Sequence, residues 1–467
     1  MRQKKIFFLT FSCILLFICC APVIRQAMMR NIDQEVSVNN YEQALNLITK
    51  AQSETPPLYD HKNAISLFLD QGLLEHYAGY YQASSQSLQN AERLIEEAYT
   101  KSISESVASY ILNDNTKEYP GEDFEDLYLN VFNALNYYHQ RNIEGALVEI
   151  RKLTISSGKL NLLARKYEES NAKARQKYEK ELLLAENNPQ TTKPIMQAVS
   201  FSNSALARYL SILFYQAERN PDAVRIEYEQ LKNAFTSNQK LYPHPIPKTI
   251  QQLFTTTPGL ARLDLLCFTS LSPVKEEKIF VQFLPFYQDP LLWYPQFKIP
   301  VLRGRGDRID RIEVVVQNQQ INLELLENIG TVVIDTFNAR FSTIFLKTYL
   351  RTLAKNAAQD LATVMIAKKV EEKSELAQVG LLLGRFTAKI ALDASENADI
   401  RMCRYLPNKA YIGSMELSPG IYDLTFNYYA RSQKIYTEKK TNIQVRENAL
   451  NLVQAFNLDL RMEETIE

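Results

Sequence analysis

The sequence predicts an α+β fold, in which an N-terminal α-helical repeat body precedes an α+β region that ends in an antiparallel β-hairpin or small sandwich. Three observations predict it. A register of aromatic, small and large residues typical of paired helices recurs in the first half. Alternating apolar residues surround a Pro-Gly turn near the C-terminus. Only 13 glycines occur in 467 residues, which favours helices because glycine marks turns and loops.

Length and composition allow several domains with large cores. The chain is 46% hydrophobic and 10% aromatic, which argues against global disorder. We expect a leader at 1–20, a helical domain at 21–240, an α+β domain with a helical hairpin at 250–400 and an antiparallel β domain at 401–467. Lys plus Arg number 53 and so do Asp plus Glu, so no excess of positive charge points to a nucleic-acid partner.

The leader has the layout of an export signal, in which a positive segment precedes an apolar run. Arg2, Lys4 and Lys5 supply the charge, and the apolar run extends from Ile6 to Ile18. This layout predicts that the body of the protein is exported from the cytoplasm.

The end of the leader, Phe17-Ile18-Cys19-Cys20-Ala21, resembles the lipobox of bacterial lipoproteins. Cys20, preceded by the small Cys19, is the expected lipidation site, although Phe17 and Ile18 depart from the usual Leu and Ala or Ser. Acyl chains on Cys20 would anchor the protein to a membrane, at about 0.8 kcal/mol for each buried CH₂. An uncleaved anchor helix of about 19 residues and cleavage to a free exported protein are the alternatives.

The helical body is expected over about residues 30 to 235, because one register recurs there. In this register, position 0 is aromatic or large and apolar, position 3 is small, position 7 is large, and position 10 is small or large. This register is typical of the second helix of a tetratricopeptide unit, whose small residues let two helices approach closely. Gly72 stands twelve residues before Ser84, as that repeat expects. The copies are Tyr41, Ala44, Ile48 and Ala51; Tyr81, Ser84, Leu88 and Ala91; Ile143, Ala146, Ile150 and Leu153; and a weaker one around Pro221 to Ala223.

The spacing of these copies excludes a uniform array. The small residues at 44, 84, 146 and 223 are 40, 62 and 77 residues apart, whereas the standard repeat has about 34. We therefore expect repeat-like helical hairpins with insertions, and generic amphipathic hairpins are the alternative. One insertion, Ser156 to Asn188, is predicted to be a long solvated helix.

An acidic cluster formed by Glu122, Asp123, Glu125 and Asp126 follows a Pro-Gly pair and is expected to begin a helix, where carboxylates complement the positive N-terminus. A pair of catalytic acids is the alternative. The four histidines show no metal-ligand spacing. We expect no catalytic residue, no metal and no cofactor, and hence a protein that is not an enzyme.

The region after the proline-rich segment 242–247 should contain strands, two helices and then strands again. Gly380 and Gly384 would let the two helices pack closely. Cys267 and Cys403 either pair or remain free thiols. The expected strands are Leu263–Phe268, Lys278–Phe283, Ile309–Val316, Lys409–Leu417, Ile421–Tyr428, Lys434–Val445 and Ala449–Leu458, and the expected helices are Phe337–Lys369 and Leu376–Leu392.

Three stretches carry a resemblance to a known family. They are YPGEDFEDLYLNVFNALNYYHQRNIEGALVEIRKL at 119–153, LSPVKEE at 271–277 and ADIRMCRYLPNKAYIGSMELSPGIYDLTF at 398–426. Together they resemble a family of bacterial tetratricopeptide-repeat envelope lipoproteins with a C-terminal β-rich domain and no established activity. The sequence departs from that family at Ile400 and Cys403. The resemblance implies an envelope protein anchored by its lipid, in the outer membrane and facing the periplasm, because Ala21 is not the Asp that retains lipoproteins at the inner membrane.

These observations lead to three functional hypotheses. The first is an envelope-anchored interaction or scaffold lipoprotein, whose helical concave face binds a protein partner. The second is a surface-exposed structural or adhesive lipoprotein, and Arg305-Gly306-Asp307 resembles an integrin-binding tripeptide, although chance occurrence explains it better. The third is a cell-wall-acting hydrolase whose site has no recognisable motif.

Overall fold

A computed structural model describes residues 24–104, 117–153, 203–255, 257–284, 287–370 and 397–459, together with the isolated positions 172, 201, 384, 385, 387–389 and 393. The described chain is mixed α+β, with helices in its N-terminal half and sheets in its C-terminal half, so the coarse fold class is confirmed. The leader, most of Ser156 to Asn188 and most of Leu376 to Leu392 lie outside the described residues, and the predictions made for them stay predictions.

Turns of three residues join α1 to α2, α3 to α4, α5 to α6 and α7 to α8, and α2 packs on α3, α3 on α4, α4 on α5 and α7 on α8. Short turns force consecutive helices to pack side by side. The helices are α1 (24–37), α2 (Tyr41–Ser53), α3 (Ala64–Tyr77), α4 (Tyr81–Ser104), α5 (Asp123–His139), α6 (143–153), α7 (Ala205–Ala217), α8 (Pro221–Ser237) and the short α9 (Lys248–Gln251).

The described strands form two four-stranded sheets and one two-stranded ribbon. Sheet A has the order β10-β1-β7-β6 and sheet C has the order β5-β4-β8-β9. The ribbon, in which β2 pairs with β3, is the remaining sheet B. All pairs are antiparallel except β1 with β10. The strands are β1 (Ala261–Leu271), β2 (Val274–Val281), β3 (Gln296–Arg303), β4 (Arg311–Val316), β5 (Gln319–Asn322), β6 (Glu324–Asn328), β7 (Pro407–Leu417), β8 (Gly420–Ala430), β9 (Gln433–Val445) and β10 (Leu452–Asn457).

Sheet A is the middle of three layers. On one face of β1, Leu266 and Phe268 join the large core that the helices form, whereas on the other face Leu265 and Cys267 join a second core with sheet C. This position explains why β1 reads as a continuous apolar run, since both of its faces are buried. In contrast, β4 alternates between buried and half-buried residues, because it belongs to an outer layer.

Both four-stranded sheets combine strands from before and after residue 400. In sheet A, β1 pairs with β7 along eleven residues from Ala261 to Leu271, and in sheet C, β4 pairs with β8. The domain boundary expected between residues 400 and 401 therefore separates strands that hydrogen-bond to each other, β1 from β7 in sheet A and β4 from β8 in sheet C.

The C-terminal prediction needs two corrections. The strands on either side of Pro419-Gly420 do not form a hairpin with each other, because β7 belongs to sheet A and β8 to sheet C. These two sheets share an apolar core, and each also contains strands from before residue 400. The hairpin lies one connection later, between β8 and β9, and its turn residues Arg431 and Ser432 have φ of 48° and 67°. The last strand, β10, pairs in parallel with β1 rather than in an antiparallel pair.

A long helix, α10 (Ile329–Val370), packs on the ribbon through an aromatic core. Phe337, Phe341, Phe345 and Tyr349 stand four residues apart on one face of α10, and Phe297 of β3 stacks on Tyr349. The expected helix over Phe337–Lys369 is thus confirmed, and it begins eight residues earlier. Among the described residues, no atom lies within 4 Å of a Cβ added at Gly384. Gly380 lies outside them, so the close contact expected at this pair of glycines stays a prediction.

Candidate functional site

The expected lipidation site, Cys20, lies outside the described residues. The first described helix, α1, begins at residue 24, four positions later. Ile32 and Val36 of α1 are buried in the helical core, and the Arg25 Nε donates a 2.9 Å hydrogen bond to the carbonyl of Pro57. The chain after Cys20 therefore enters the folded body within a few residues.

Helices α3 and α4 approach each other closely at Gly72 and Ser84, the two positions where the repeat register predicts a close contact. The Ser84 hydroxyl donates a 2.6 Å hydrogen bond to the carbonyl of Gly72, and a Cβ at Gly72 would lie 2.7 Å from Leu88 Cδ2. No side chain larger than hydrogen fits at position 72 unless Leu88 moves. The register residues of the three stronger copies are buried or half-buried throughout.

The faces that α3, α5 and α7 turn away from their partner helices are covered by the chain's own sheet A and the segment before β7. The Tyr77 hydroxyl donates to the carbonyl of Tyr405 at 2.8 Å. The Tyr138 hydroxyl accepts from the Leu452 N–H at 2.8 Å, and the Tyr209 hydroxyl donates to Asp264 at 3.2 Å. Sheet A therefore occupies the helical face that the sequence suggested as a peptide-binding groove.

The three stretches that carry the family resemblance meet where α3 and α5 contact the segment before β7. We call this contact the junction. Glu125, from the first stretch, accepts a 2.5 Å hydrogen bond from the Cys403 N–H, in the third. Glu122 pairs with Lys275, in the second stretch, and with Arg340 of α10 at 2.5 Å. The acidic cluster does begin α5, with a capping box between Glu122 and Glu125, but both carboxylates are buried inside the protein.

Asp70 of α3 completes the junction, and sequence reasoning missed it. Its carboxylate accepts from the Arg404 N–H at 2.6 Å and from the Tyr59 hydroxyl at 2.5 Å. Two consecutive backbone N–H groups, of Cys403 and Arg404, thus bind one carboxylate from α5 and one from α3. This pairing fixes the segment before β7 against two neighbouring helices at once.

Burial strongly perturbs these carboxyl groups. Desolvation raises the pKa of Asp70 to about 6 and that of Glu125 to about 7, and the nearby charge of Glu122 adds to the rise at Glu125. Burial alone would raise the pKa of Glu122, but Arg340 and Lys275 outweigh it, and its pKa lies below the ordinary value. The junction therefore holds carboxyl groups that change charge near neutral pH beside one that stays ionised.

The room inside the junction is small. A cavity of about 10 Å³ is lined by Leu69, Leu73, Leu88, Glu125, Leu129, Cys403 and Leu406. That volume is about what a single water needs. Burial also raises the pKa of the Cys403 thiol, which keeps it protonated. As arranged, these groups bind protons and hold the two halves of the fold together.

A second buried carboxylate, Glu327 at the bulge between β6 and β7, connects the sheet to α5, α7 and the segment after α8. It accepts from the hydroxyls of Tyr128 at 2.6 Å, Ser204 at 2.9 Å and Tyr242 at 2.7 Å, and from the Leu206 N–H at 3.2 Å. Tyr242 belongs to the expected proline-rich linker, which this bond fastens to the core. Ser204 is also the N-cap of α7.

The remaining candidates lie apart from one another. Cys267 and Cys403 are both free and buried, in different cores, so the disulfide alternative is not found. Arg305 of the Arg-Gly-Asp sequence is buried and donates to the carbonyl of Ser272 at 2.9 Å. An integrin-type tripeptide needs an exposed arginine, and this arginine is inside the protein.

Among the residues that the structure describes, no three His, Cys, Asp or Glu side chains are grouped so as to hold a metal ion. Within the same residues, no helix combines the length and the apolar composition needed to cross a membrane. A scan against protein-family models, a search of curated proteins and a search of solved structures each found no match to this chain.

Proposed function

We propose that the protein is an envelope-anchored scaffold lipoprotein, held to a membrane by acyl chains on Cys20, whose tetratricopeptide-like helical body binds a protein partner. The observation that carries the proposal is the close contact of Gly72 with Leu88, reinforced by the bond from Ser84 to Gly72. Tetratricopeptide-like pairs bring their helices together in this way to build an extended recognition surface. Outer-membrane attachment on the periplasmic side belongs to the same proposal.

The site of partner binding follows from which helical faces are free. Twelve of the 17 residues of α5 and ten of the 13 of α7 are buried, whereas α2 buries only four of its 13 residues. Because sheet A covers the first helix of each pair, we assign partner binding to the second helices. Asn46 of α2 and Gln86 of α4 are exposed there.

Site-specific photo-crosslinking in intact envelopes tests this assignment. A crosslinking amino acid at Asn46 or Gln86 should give an adduct of one defined mass. The matched control is Gln319 of β5, which is exposed on sheet C, far from the helices in the layer order. Adducts that are equally abundant from Gln319, or none from either helical position, would contradict the assignment.

A further inference from the structure

The second half of α10 has an apolar face that points to solvent. Its exposed positions between 353 and 366 are all apolar, and three of them are large: Leu361 (63% exposed), Met365 (57%) and Ile366 (51%). They follow helical spacing and form a continuous stripe about 18 Å long, at 1.5 Å per residue. The stripe consists of Ala354, Ala357, Ala358, Leu361, Ala362, Met365 and Ile366.

The opposite face of the same helix is polar and buried. Thr352, Asn356 and Thr363 are all less than a tenth exposed. A helix on the surface of a globular protein normally has the reverse arrangement, with apolar residues inside and polar residues outside. The orientation of α10 is therefore suited to an apolar environment on its outer side.

An aromatic loop extends the same exposed surface. Phe283 and Tyr294, at the end of the ribbon, are more than half exposed, and their rings lie 5.2 Å apart, with Trp293 6.1 Å from Phe283. Tyr and Trp have an apolar body with a polar tip, which suits a boundary between water and hydrocarbon. Six of the ten large apolar side chains that are more than half exposed in the described chain lie on β2, this loop or α10.

Hydrogen bonds hold the loop beside the stripe. Asp360, which immediately precedes Leu361, accepts from the N–H groups of Gln288 and Asp289 at 3.0 and 2.7 Å. The Tyr287 hydroxyl donates to the carbonyl of Leu353 at 3.3 Å. The aromatic loop and the stripe therefore form one surface, which we call the apolar face and define as Phe283, Trp293, Tyr294 and the stripe.

Charge is nearly absent from the apolar face. Asp289 is the only ionisable acid or base other than tyrosine between 282 and 297 in the sequence, and its carboxylate is buried and paired with Arg385. Between residues 353 and 366 of α10 the charged side chains are Lys355 and Asp360, and both are only half-exposed. A surface of this size without charge is unfavourable in water and marks a site of contact.

We infer that the apolar face lies on the lipid surface of a membrane. The stripe and Trp293, whose indole N–H already donates to the Tyr287 carbonyl at 2.7 Å, lie at the level of the acyl chains, and Tyr294 lies among the headgroups. An interfacial helix binds in this way through its buried apolar area and without crossing the bilayer. The aromatic loop favours lipid over a second copy of the chain. A dimer that packed α10 against the α10 of a second copy would use only the stripe and would leave the aromatic loop without a role.

The position of the proposed tether agrees with this contact, and this step alone rests on the proposed function. The start of α1 connects to β2 through short contacts: Arg25 with Pro57, Lys62 with Arg401, and Ala398 with Glu277. An anchor on Cys20, just before α1, would hold the protein at the same membrane that the apolar face contacts.

Native fluorescence tests the inference, because Trp293 is the only tryptophan of the chain. The full-length protein is mixed with vesicles of phosphatidylethanolamine and phosphatidylglycerol, with and without bromine on the acyl chains. We expect the brominated lipid to reduce Trp293 emission about twofold or more, because bromine quenches only at contact. In the matched control, Trp293→Phe with Phe254→Trp, the tryptophan lies outside the apolar face and should keep its emission.

Charge substitutions then identify the surface. Leu361→Asp and Met365→Asp should abolish most of the quenching, whereas Ile421→Asp, at an equally exposed residue of β8, should leave it unchanged. Unquenched Trp293 in protein that still floats with the vesicles overturns the inference and leaves the lipid tether standing. Quenching that persists in Cys20→Ala protein supports the inference and removes the need for the tether. A lipid-free dimer that Leu361→Asp converts to a monomer would assign the face to a second copy and overturn the membrane contact.

Discussion

The hydroxyl of Tyr77 donates a hydrogen bond to the carbonyl oxygen of Tyr405, 2.8 Å away across 328 residues of sequence. Tyr77 ends α3, and Tyr405 lies just before β7. The same junction holds Asp70 and Glu125 against the next two N–H groups upstream. The helical layer and the sheets therefore share a polar junction within a common apolar core, and we expect them to unfold together.

Removing the carboxylate of Glu327 should destabilise the protein severely. Glu327→Ala leaves the hydroxyls of Tyr128 and Ser204 and one N–H without their acceptor, and the Tyr242 hydroxyl keeps only the Asn203 carbonyl, so we expect a loss of about 3–5 kcal/mol in the free energy of unfolding. Denaturant titration followed by circular dichroism measures it. Glu324→Ala is the matched control on β6, since that half-exposed carboxylate accepts from Lys248 and Thr249 near solvent and its loss should cost about 1 kcal/mol. Equal losses in the two variants would refute the role of Glu327.

A methyl group at position 72 should push α3 and α4 apart. Gly72→Ala places its Cβ 2.7 Å from Leu88 Cδ2, and we expect a loss of about 1–3 kcal/mol. The double variant with Leu88→Ala should lose less than the sum of the two single variants, because Leu88→Ala makes room for the methyl. Gly304→Ala, where a Cβ meets nothing within 4 Å, is the control and should be nearly neutral. Strict additivity would show that the two residues do not touch.

The contribution of Asp70 and Glu125 to stability should fall as the pH rises from about 4 to 7. The pKa values of Asp70 and Glu125 are raised from 3.8 to about 6 and from 4.5 to about 7, mainly by burial. At these two groups the folded state thus binds more protons than the unfolded state in this window, so each group costs on the order of 1–3 kcal/mol once ionised. His76, whose pKa burial lowers to about 3, acts in the opposite direction, so the test compares the variant with the wild type. Glu125→Gln cannot ionise and should flatten the decline, whereas Asp126→Asn, one position on and half-buried, should not. Parallel pH profiles for the wild type and Glu125→Gln would contradict this account.

Arg305 should contribute to stability rather than to adhesion. Its buried guanidinium donates to the carbonyls of Ser272 and Arg404, so Arg305→Ala should cost about 2–4 kcal/mol. Arg303 lies two residues earlier, and its exposed side chain pairs with Glu276. Arg303→Ala should therefore change stability by less than about 1 kcal/mol. Thermal unfolding of both variants makes the comparison. If Arg305→Ala keeps full stability while cell attachment falls, the arginine is available to a receptor after all.

Local patterns in the sequence predicted most of the elements but not their pairing. The alternation in β4 and the apolar run in β1 identified both strands, because burial on one face or two leaves a direct periodic signal. The β8–β9 turn escaped detection because Arg431 and Ser432 adopt positive φ without the Asn or Gly that usually marks such turns. The parallel pairing of β10 with β1 depends on contacts across nearly 190 residues, which no local pattern records.

The junction itself was predictable only in part. Glu122 and Glu125 were recognised as the start of a helix, but a capping role does not reveal that the same carboxylates bind Lys275 and Cys403. Asp70 and Glu327 carry no sequence signal. Each shares its element with another acidic residue, Glu75 in α3 and Glu324 in β6, and no pattern distinguishes the buried carboxylate from the other. The three stretches that carry the family resemblance contain Glu122, Glu125, Lys275 and Cys403, but the resemblance made no prediction that these segments meet.

The proposed function depends most directly on the chemical state of residue 20. Intact-mass spectrometry of the protein extracted from envelopes should show a chain that begins at Cys20 and carries the mass of a diacylglycerol and an acyl chain, and Cys20→Ala should lack both. A chain that begins at Met1 without lipid, or one recovered from the soluble fraction without acylation, would contradict the proposal.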